Sequence, residues 1–254
     1  MSQNLYDRSE FFEKYIKINR QTKGLDGAPE WPQLRAMLPN LKGARVLDLG
    51  CGLGWFARFA RAEGAAHVRG IDLSTKMLDG ARAMTTSDDD GIGIAIVYEA
   101  ADLEDVVLPE AEYDVVFSSL ALHYVVRLPR LVVEISRSLK RGGSLVLSVE
   151  HPMFTAPSTP GLVAHPETGR PVWPVDGYQV EGLRTTTWLE VEGVCKQHRT
   201  VGSYINMLIT SGLRLTGFVE WRPSEEQLAS NPSWDVELVR PTFLLMGAVK
   251  DSIV

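Results

Sequence analysis

The sequence predicts an α/β fold: a seven-stranded, mostly parallel sheet with helices on both faces, an antiparallel last strand and an insertion lid after the fifth strand. Three observations point there. "ARVLDLG" and "YDVVFSSL" are apolar at successive positions, the mark of strands covered on both faces. Amphipathic stretches separate such runs, as with Leu128, Leu131, Val132, Ile135 and Leu139. The two patterns alternate from about residue 44 to 150, as crossover helices between parallel strands require.

Taken in order, Phe12, Tyr15 and Ile16 have helical spacing within residues 9 to 20, and Gly24, Gly27, Pro29 and Pro32 end that helix. A short helix from Trp31 to Met37 stops at Pro39. "ARVLDLG" is the first strand, and a helix from Trp55 to Glu63 follows, closed by Gly64. "HVRGIDL" is the second strand, with a helix after Ser74 that sets Met77, Leu78 and Ala81 on one face. "SDDDG" (Ser87 to Gly91) reads as a solvated turn before the third strand, "GIAIVYEA". "YDVVFSSL" is the fourth strand, the Leu128 stripe a helix ending at Gly142-Gly143, and "SLVLSVE" the fifth strand. From His151 to about Arg199 six prolines and several aromatics interrupt the pattern, far more than the ~2 to 6 residues usual for such a connection. Val201, Ile205, Leu208 and Ile209 resume a helix that Gly212 ends, and "LRLTGFVEW" and "TFLLMGAVK" complete the sheet as an antiparallel pair.

With 254 residues, 44% hydrophobic and 23% charged, the chain can bury one large core without a second domain. A formal charge of −6 argues against a broad basic face for nucleic acid or anionic lipid, so a small-molecule partner is expected. Two cysteines, Cys51 and Cys195, suggest neither a disulfide framework nor a metal site and fit a reducing cytoplasm. The acidic N-terminus and the lack of any apolar run near ~20 residues predict a protein neither exported nor membrane-spanning.

The chemistry concentrates at Gly50, Gly52 and Gly54, a turn between the first strand and a helix where missing Cβ atoms allow close approach to backbone amides. The spacing is G-x-G-x-G with Trp55 where a dinucleotide fingerprint has its third glycine, which disfavours a pyrophosphate cofactor. Asp72 ends the second strand, where a carboxylate can accept both hydrogen bonds of a ribose diol. Asp102, after the third strand, is placed to meet an adenine amine. Cys51 between the glycines reads as a small buried residue rather than a nucleophile.

As an ordered set, "VLDLGCGLGWF", "GIDLS", "AADLEDVVLPEAEYDVVFSSLALHYV" and "LKRGGSLVLSVEHP" resemble the class I S-adenosylmethionine-dependent methyltransferases, of the small-molecule type that includes quinone and other metabolite methyltransferases. The resemblance is close over residues 41 to 152 and loose over 200 to 249. It implies a Rossmann-like fold and S-adenosyl-L-methionine as cofactor, with S-adenosyl-L-homocysteine as product. Position by position, it implies that Gly50, Gly52 and Gly54 touch the methionine part of the cofactor and that Asp48 orders the loop. Asp72 would hold the ribose, Leu73 and Met77 the adenine surroundings, Asp102 and Leu103 the adenine itself, and Ser118 with Ser119 the wall near the sulfonium. Leu73, Met77 and Leu103 are equally readable as ordinary core.

Because a sulfonium methyl is already activated, the enzyme aligns a nucleophile and excludes water. His123, His151 and His198 are the candidates for a general base, each also readable as pocket wall or cap. Tyr15, Tyr124, Tyr178 and Trp188 are candidates for contacting the acceptor, and Phe154, Trp173, Arg170 and Arg184 belong to the same lid. After the fourth strand "SSLALHY" stands where amino-methylating nucleic-acid enzymes of this fold carry N/D-P-P-Y/F, which argues against nucleic acid. The expected organisation is one methyltransferase domain over 1–254: an N-terminal helical cap (1–40), a cofactor-binding core (41–150), the insertion and substrate lid (151–199) and the C-terminal part of the core (200–254). Two alternatives stay open, a non-catalytic S-adenosylmethionine-binding regulator and a nicotinamide-dependent oxidoreductase.

Overall fold

The computed structural model describes residues 3–85 and 95–251, so the turn expected at Ser87–Gly91 lies outside the described residues. Before the sheet come α1 (Ser9–Tyr15), α2 (Asn19–Thr22) and α3 (Trp31–Met37). The alternating part runs β1 (Arg45–Leu49), α4 (Trp55–Ala62), β2 (His67–Asp72), α5 (Thr75–Ala83), β3 (Ile96–Ala100), β4 (Tyr113–Ser119), α6 (Leu128–Ser138) and β5 (Leu139–Glu150). The insertion holds α7 (Pro152–Thr155), a two-residue pair β6 (Val163–Ala164) and β7 (Pro171–Val172), and a hairpin of β8 (Gly182–Trp188) and β9 (Val191–His198). The chain closes with α8 (Val201–Thr210), β10 (Leu213–Glu220), α9 (Glu225–Ser230) and β11 (Phe243–Lys250).

The main sheet has seven strands in the order β10-β11-β5-β4-β1-β2-β3. β5, β4, β1, β2 and β3 run parallel to one another, and β11 runs antiparallel to both β5 and β10. Strand order reverses between β1 and β4, and the carboxyl ends on either side of that point carry the glycine turn and Ser119. Alternation along β1 divides the core. Leu47 and Leu49 face α6 and α8, packing with Leu131, Ile135, Tyr204 and Leu208. Val46 faces α3 and α4, packing with Trp31, Phe56, Ala60 and Phe117. Each such aliphatic or aromatic side chain contributes about 1.5–3 kcal/mol on burial. Asp48 lies between Leu47 and Leu49 and therefore points to the α4 side.

Three local expectations are corrected. The single helix over residues 9 to 20 is two short ones, and across the break Gln21 Nε2 donates to Tyr15 Oη at 2.8 Å. The helix bearing Leu128 ends at Ser138, not at Gly142-Gly143. Leu139 is extended (φ −70°, ψ 139°) and pairs with Tyr113, so it starts β5. The insertion contains a regular hairpin that the proline count concealed. A third apolar cluster joins that hairpin to the N-terminus: Leu5, Phe11 and Val194, flanked by Tyr6, Tyr15, Tyr124 and Trp188. Among the described residues no helix is long and apolar enough to cross a membrane.

Candidate active site

The glycine turn is bent by the chain's own neighbours. Gly50, Gly52 and Gly54 all have left-handed backbones, with φ of 71°, 52° and 73°. A Cβ on Gly50 would lie 2.2 Å from the Ala121 Cβ, across the point where strand order reverses, and one on Gly54 would lie 2.2 Å from Tyr98 Oη. At Gly52 the Cβ position is tight too, but the neighbour is the end of a flexible side chain, Met77 Cε at 3.2 Å. The turn is stitched to β2, since the Gly50 and Cys51 N–H groups donate to Ile71 O at 2.8 and 3.0 Å. The Gly52 N–H donates to Asp72 Oδ2 at 2.8 Å, while the other Asp72 oxygen accepts from Ser74 N–H at 2.9 Å.

Two carboxylates meet here. Asp48 is 2% exposed, and its Oδ2 has no hydrogen-bond partner among the described residues. Burial, helped by the nearby Asp72 charge and opposed by the Ala57 N–H, pushes its carboxyl up to about 8. Burial likewise raises Asp72, against the pull of the Ser74 and Gly52 N–H groups. Raised carboxyls bind protons that the unfolded chain, with carboxyls near 3.8, has already released. The Asp48 contribution is thus present at low pH and is lost as pH rises through about 8, and Asp72 acts in the same direction. The ligand-free protein is accordingly expected to lose stability between about pH 5.5 and 8, by up to ~1.4 kcal/mol per pH unit for Asp48. Urea unfolding across that range checks this, and Asp48→Asn should flatten the dependence.

A cavity of about 690 Å³ opens beside the turn. Of the residues singled out in the sequence, it is lined by Asp48, Gly50, Gly52, Asp72, Met77 and Ser119, and further along by Tyr15, His123, Tyr124 and Trp188. Phe154, Trp173 and Arg184 of the expected lid line it too, whereas Arg170, Tyr178 and the remaining cofactor positions do not. Gly54 is closed off by Tyr98. Ser118 Oγ donates to Leu49 O at 2.7 Å within the sheet. Leu103 packs in the α6-side core, and Asp102 Oδ1 accepts the Glu104 N–H at 2.9 Å in the turn after β3. Leu73 presents its carbonyl to Asn4 Nδ2 at 3.5 Å. Tyr178 braces the start of α8, its hydroxyl accepting the Val201 N–H at 3.2 Å.

The three histidines are all engaged in ways that occupy their basic nitrogen. His151 accepts the Met153 N–H on Nδ1 at 3.0 Å and meets Glu220 Oε1 through Nε2 at 2.9 Å, capping α7. His198 takes the Thr155 hydroxyl on Nδ1 at 2.8 Å and donates from Nε2 to Tyr178 O at 2.9 Å. Neither lines the cavity; His151 ties the start of the insertion to β10, and His198 ties parts of the insertion to one another. His123 does line it, but its Nδ1 accepts the Glu150 N–H at 3.4 Å, leaving the ring proton on Nε2. Burial, with Lys196 and Arg199 nearby, holds its pKa well below the usual imidazole value. His123 is therefore a neutral N–H donor at physiological pH.

Several lining residues escaped the sequence reading. Tyr6 belongs to the cavity because Asp7 anchors its segment, accepting from Ser74 Oγ at 2.6 Å and from Lys76 N at 3.1 Å at the start of α5. Glu150 and Lys196 line it as a largely buried ion pair at 2.5 Å, with Lys196 the more enclosed of the two. The visible signal for Glu150 was an acid closing an otherwise apolar strand. Lys196 had none, because its partner is 46 residues away.

A family model described as a methyltransferase domain matches residues 47–147. Among solved structures, the chain is 49% identical to an S-adenosylmethionine-dependent methyltransferase from Mesorhizobium loti, with a TM-score of 0.82 over 89% of this chain and 100% of that one. It is 32% identical to an uncharacterized protein of Haemophilus influenzae over 97% of both chains. A malonyl-[acyl-carrier protein] O-methyltransferase from Erwinia billingiae is 34% identical over 116 residues, which are 46% of this chain and 43% of that protein. This chain thus spans less than half the length of that relative.

Proposed function

The chain belongs to the S-adenosylmethionine-dependent methyltransferases, and from that premise we propose that it methylates a small, largely apolar acceptor held between the sheet and its aromatic roof. The observation that carries this reading is the cavity itself. It is one continuous space lined both by the glycine turn, Asp48 and Asp72 and by the aromatic rings of Tyr6, Tyr124, Phe154 and Trp188.

The residues present fit the cofactor. Its amino-acid end carries an ammonium group and its ribose a diol, and the lobe of the cavity at the glycine turn offers a buried unpartnered Asp48 oxygen and the two-oxygen face of Asp72. Met77 and the bare Gly52 bound the same lobe. When bound, S-adenosyl-L-methionine supplies a methyl group already activated by its sulfonium, so no covalent nucleophile of the protein is needed. Gly50, Gly52, Asp48 and Asp72 hold and orient it, and Ser119 and the neutral His123 line the space beside them. Tyr15, Tyr124 and Trp188 exclude water and press a flat acceptor in place. Residues 1–40 and 151–199 act together as the roof, supported by the apolar cluster that they share. A free Cys51 and Cys195 support a cytoplasmic setting.

The test uses methyl-tritiated cofactor with the purified protein and three fractions of a bacterial extract: small metabolites, protein and nucleic acid. Label is expected in the small-metabolite fraction. Transfer confined to protein or nucleic acid overturns the small-acceptor reading.

A further inference from the structure

Beyond the cofactor lobe, the cavity contains one ion pair whose two halves are satisfied unequally. Lys196, 5% exposed, rises from β9 with Nζ 5.6 Å from the Trp188 ring and 5.9 Å from the Phe154 ring, and donates to Glu150 Oε1 at 2.5 Å. A cation set between two aromatic faces and a carboxylate is well compensated. Glu150 is not. Its Oε2 is buried and has no hydrogen-bond partner among the described residues, although the residue ends β5 and lines the cavity. A buried carboxylate oxygen left without a donor is unfavourable, so a ligand able to supply an N–H or O–H is favoured on entering.

We propose that Glu150 Oε2 is the specificity contact for the methyl acceptor, receiving a hydrogen bond from its hydroxyl or amine. The inference rests on the methyl-transfer reading above and narrows it: the acceptor is an alcohol, phenol or amine and not a free carboxylate. A carboxylate would place a second negative charge against Glu150 in a closed space, the arrangement in which one of two like charges must protonate. His123 adds to the selection. With its Nδ1 taken by the Glu150 N–H, it offers only a donor, Nε2–H. A hydroxyl, which both donates and accepts, suits the pair. Among the cations that line the cavity, the Arg240 Nε is buried and has no hydrogen-bond partner among the described residues, so the benzoate arm of the test below measures its pull directly. Lys196 is held by Glu150, Arg184 donates to the Ala156 and Val180 carbonyls, and Arg240 is paired with Glu237 and stacked over Phe154 and Trp173.

Calorimetry on the protein saturated with S-adenosylhomocysteine decides the matter, using benzyl alcohol, benzylamine and benzoate as shape-matched probes. The wild-type complex should bind the alcohol or the amine at least roughly tenfold more tightly than benzoate, and Glu150→Gln, which places an amide donor there, should remove most of that ratio. No preference in the wild type, whether all three probes bind or none does, overturns the assignment, as does a preference that survives in Glu150→Gln. Should that variant not fold, the wild-type ratio alone still decides. Failure of S-adenosylhomocysteine to bind in the first titration instead defeats the methyl-transfer reading, so the two failures are distinguishable.

Discussion

Asp72→Ala is expected to weaken S-adenosylhomocysteine binding by roughly 100-fold or more, since hydrogen bonds to a charged group contribute about 1.5–3 kcal/mol each. Two effects combine. Each Asp72 oxygen already accepts one backbone N–H, from Gly52 or Ser74, and keeps a lone pair for a ribose hydroxyl. Alanine removes both ribose bonds and also unties Gly52 from β2. Asp72→Asn separates these contributions, because the amide keeps one acceptor oxygen and loses the charge; an intermediate loss is expected. Calorimetry gives the affinities and thermal unfolding checks that the fold survives. Affinity retained within about threefold in Asp72→Ala would falsify the ribose assignment, because even one lost charged hydrogen bond exceeds that.

The second large effect is on folding. Gly50→Ala should destabilise the protein by about 2–5 kcal/mol, from ~1–2 for a left-handed non-glycine residue and ~1–3 for overpacking. The new methyl would stand 2.2 Å from the Ala121 Cβ at a backbone φ of 71°. Ala121 Cα is 3.7 Å away, so the steric part comes from one methyl group alone. Adding Ala121→Gly should therefore recover the overpacking share and leave the backbone share, a coupling readable in a double-mutant cycle by urea denaturation. Additive losses in the double variant would show that the two residues do not meet across the strand reversal.

These two predictions differ in how far the sequence foresaw them. Asp72 could be marked in advance because its position depends only on local order: a buried apolar strand ends, and the next residue in register is an acid. That Gly50 must accommodate Ala121 could not be foreseen. The contact spans 71 positions along the chain and exists because β1 and β4 lie side by side where strand order reverses. The helix through Leu128 shows a related limit. Its apolar stripe continues in phase to Leu139, yet Leu139 pairs with Tyr113 in the sheet, and tertiary pairing outweighs local periodicity. The β8–β9 hairpin went unread for a similar reason. "RTTTWLEVEGVCKQH" is rich in β-branched residues, but the prolines before it suggested a loop throughout.

By itself the sequence determined the alternating α/β architecture, the glycine turn and the acid at the end of the second strand, because burial on both strand faces and left-handed backbone write themselves into short stretches of chain. Tertiary structure alone decided which polar groups remain free to act. His123, His151 and His198 read alike in the chain, yet each has its basic nitrogen taken by a neighbour. Glu150 keeps an oxygen unpartnered because Lys196, 46 residues away, reaches only the other one. Hydrogen-bond supply is a property of packing in three dimensions, and no local pattern encodes which donor arrives from the far side of a cavity.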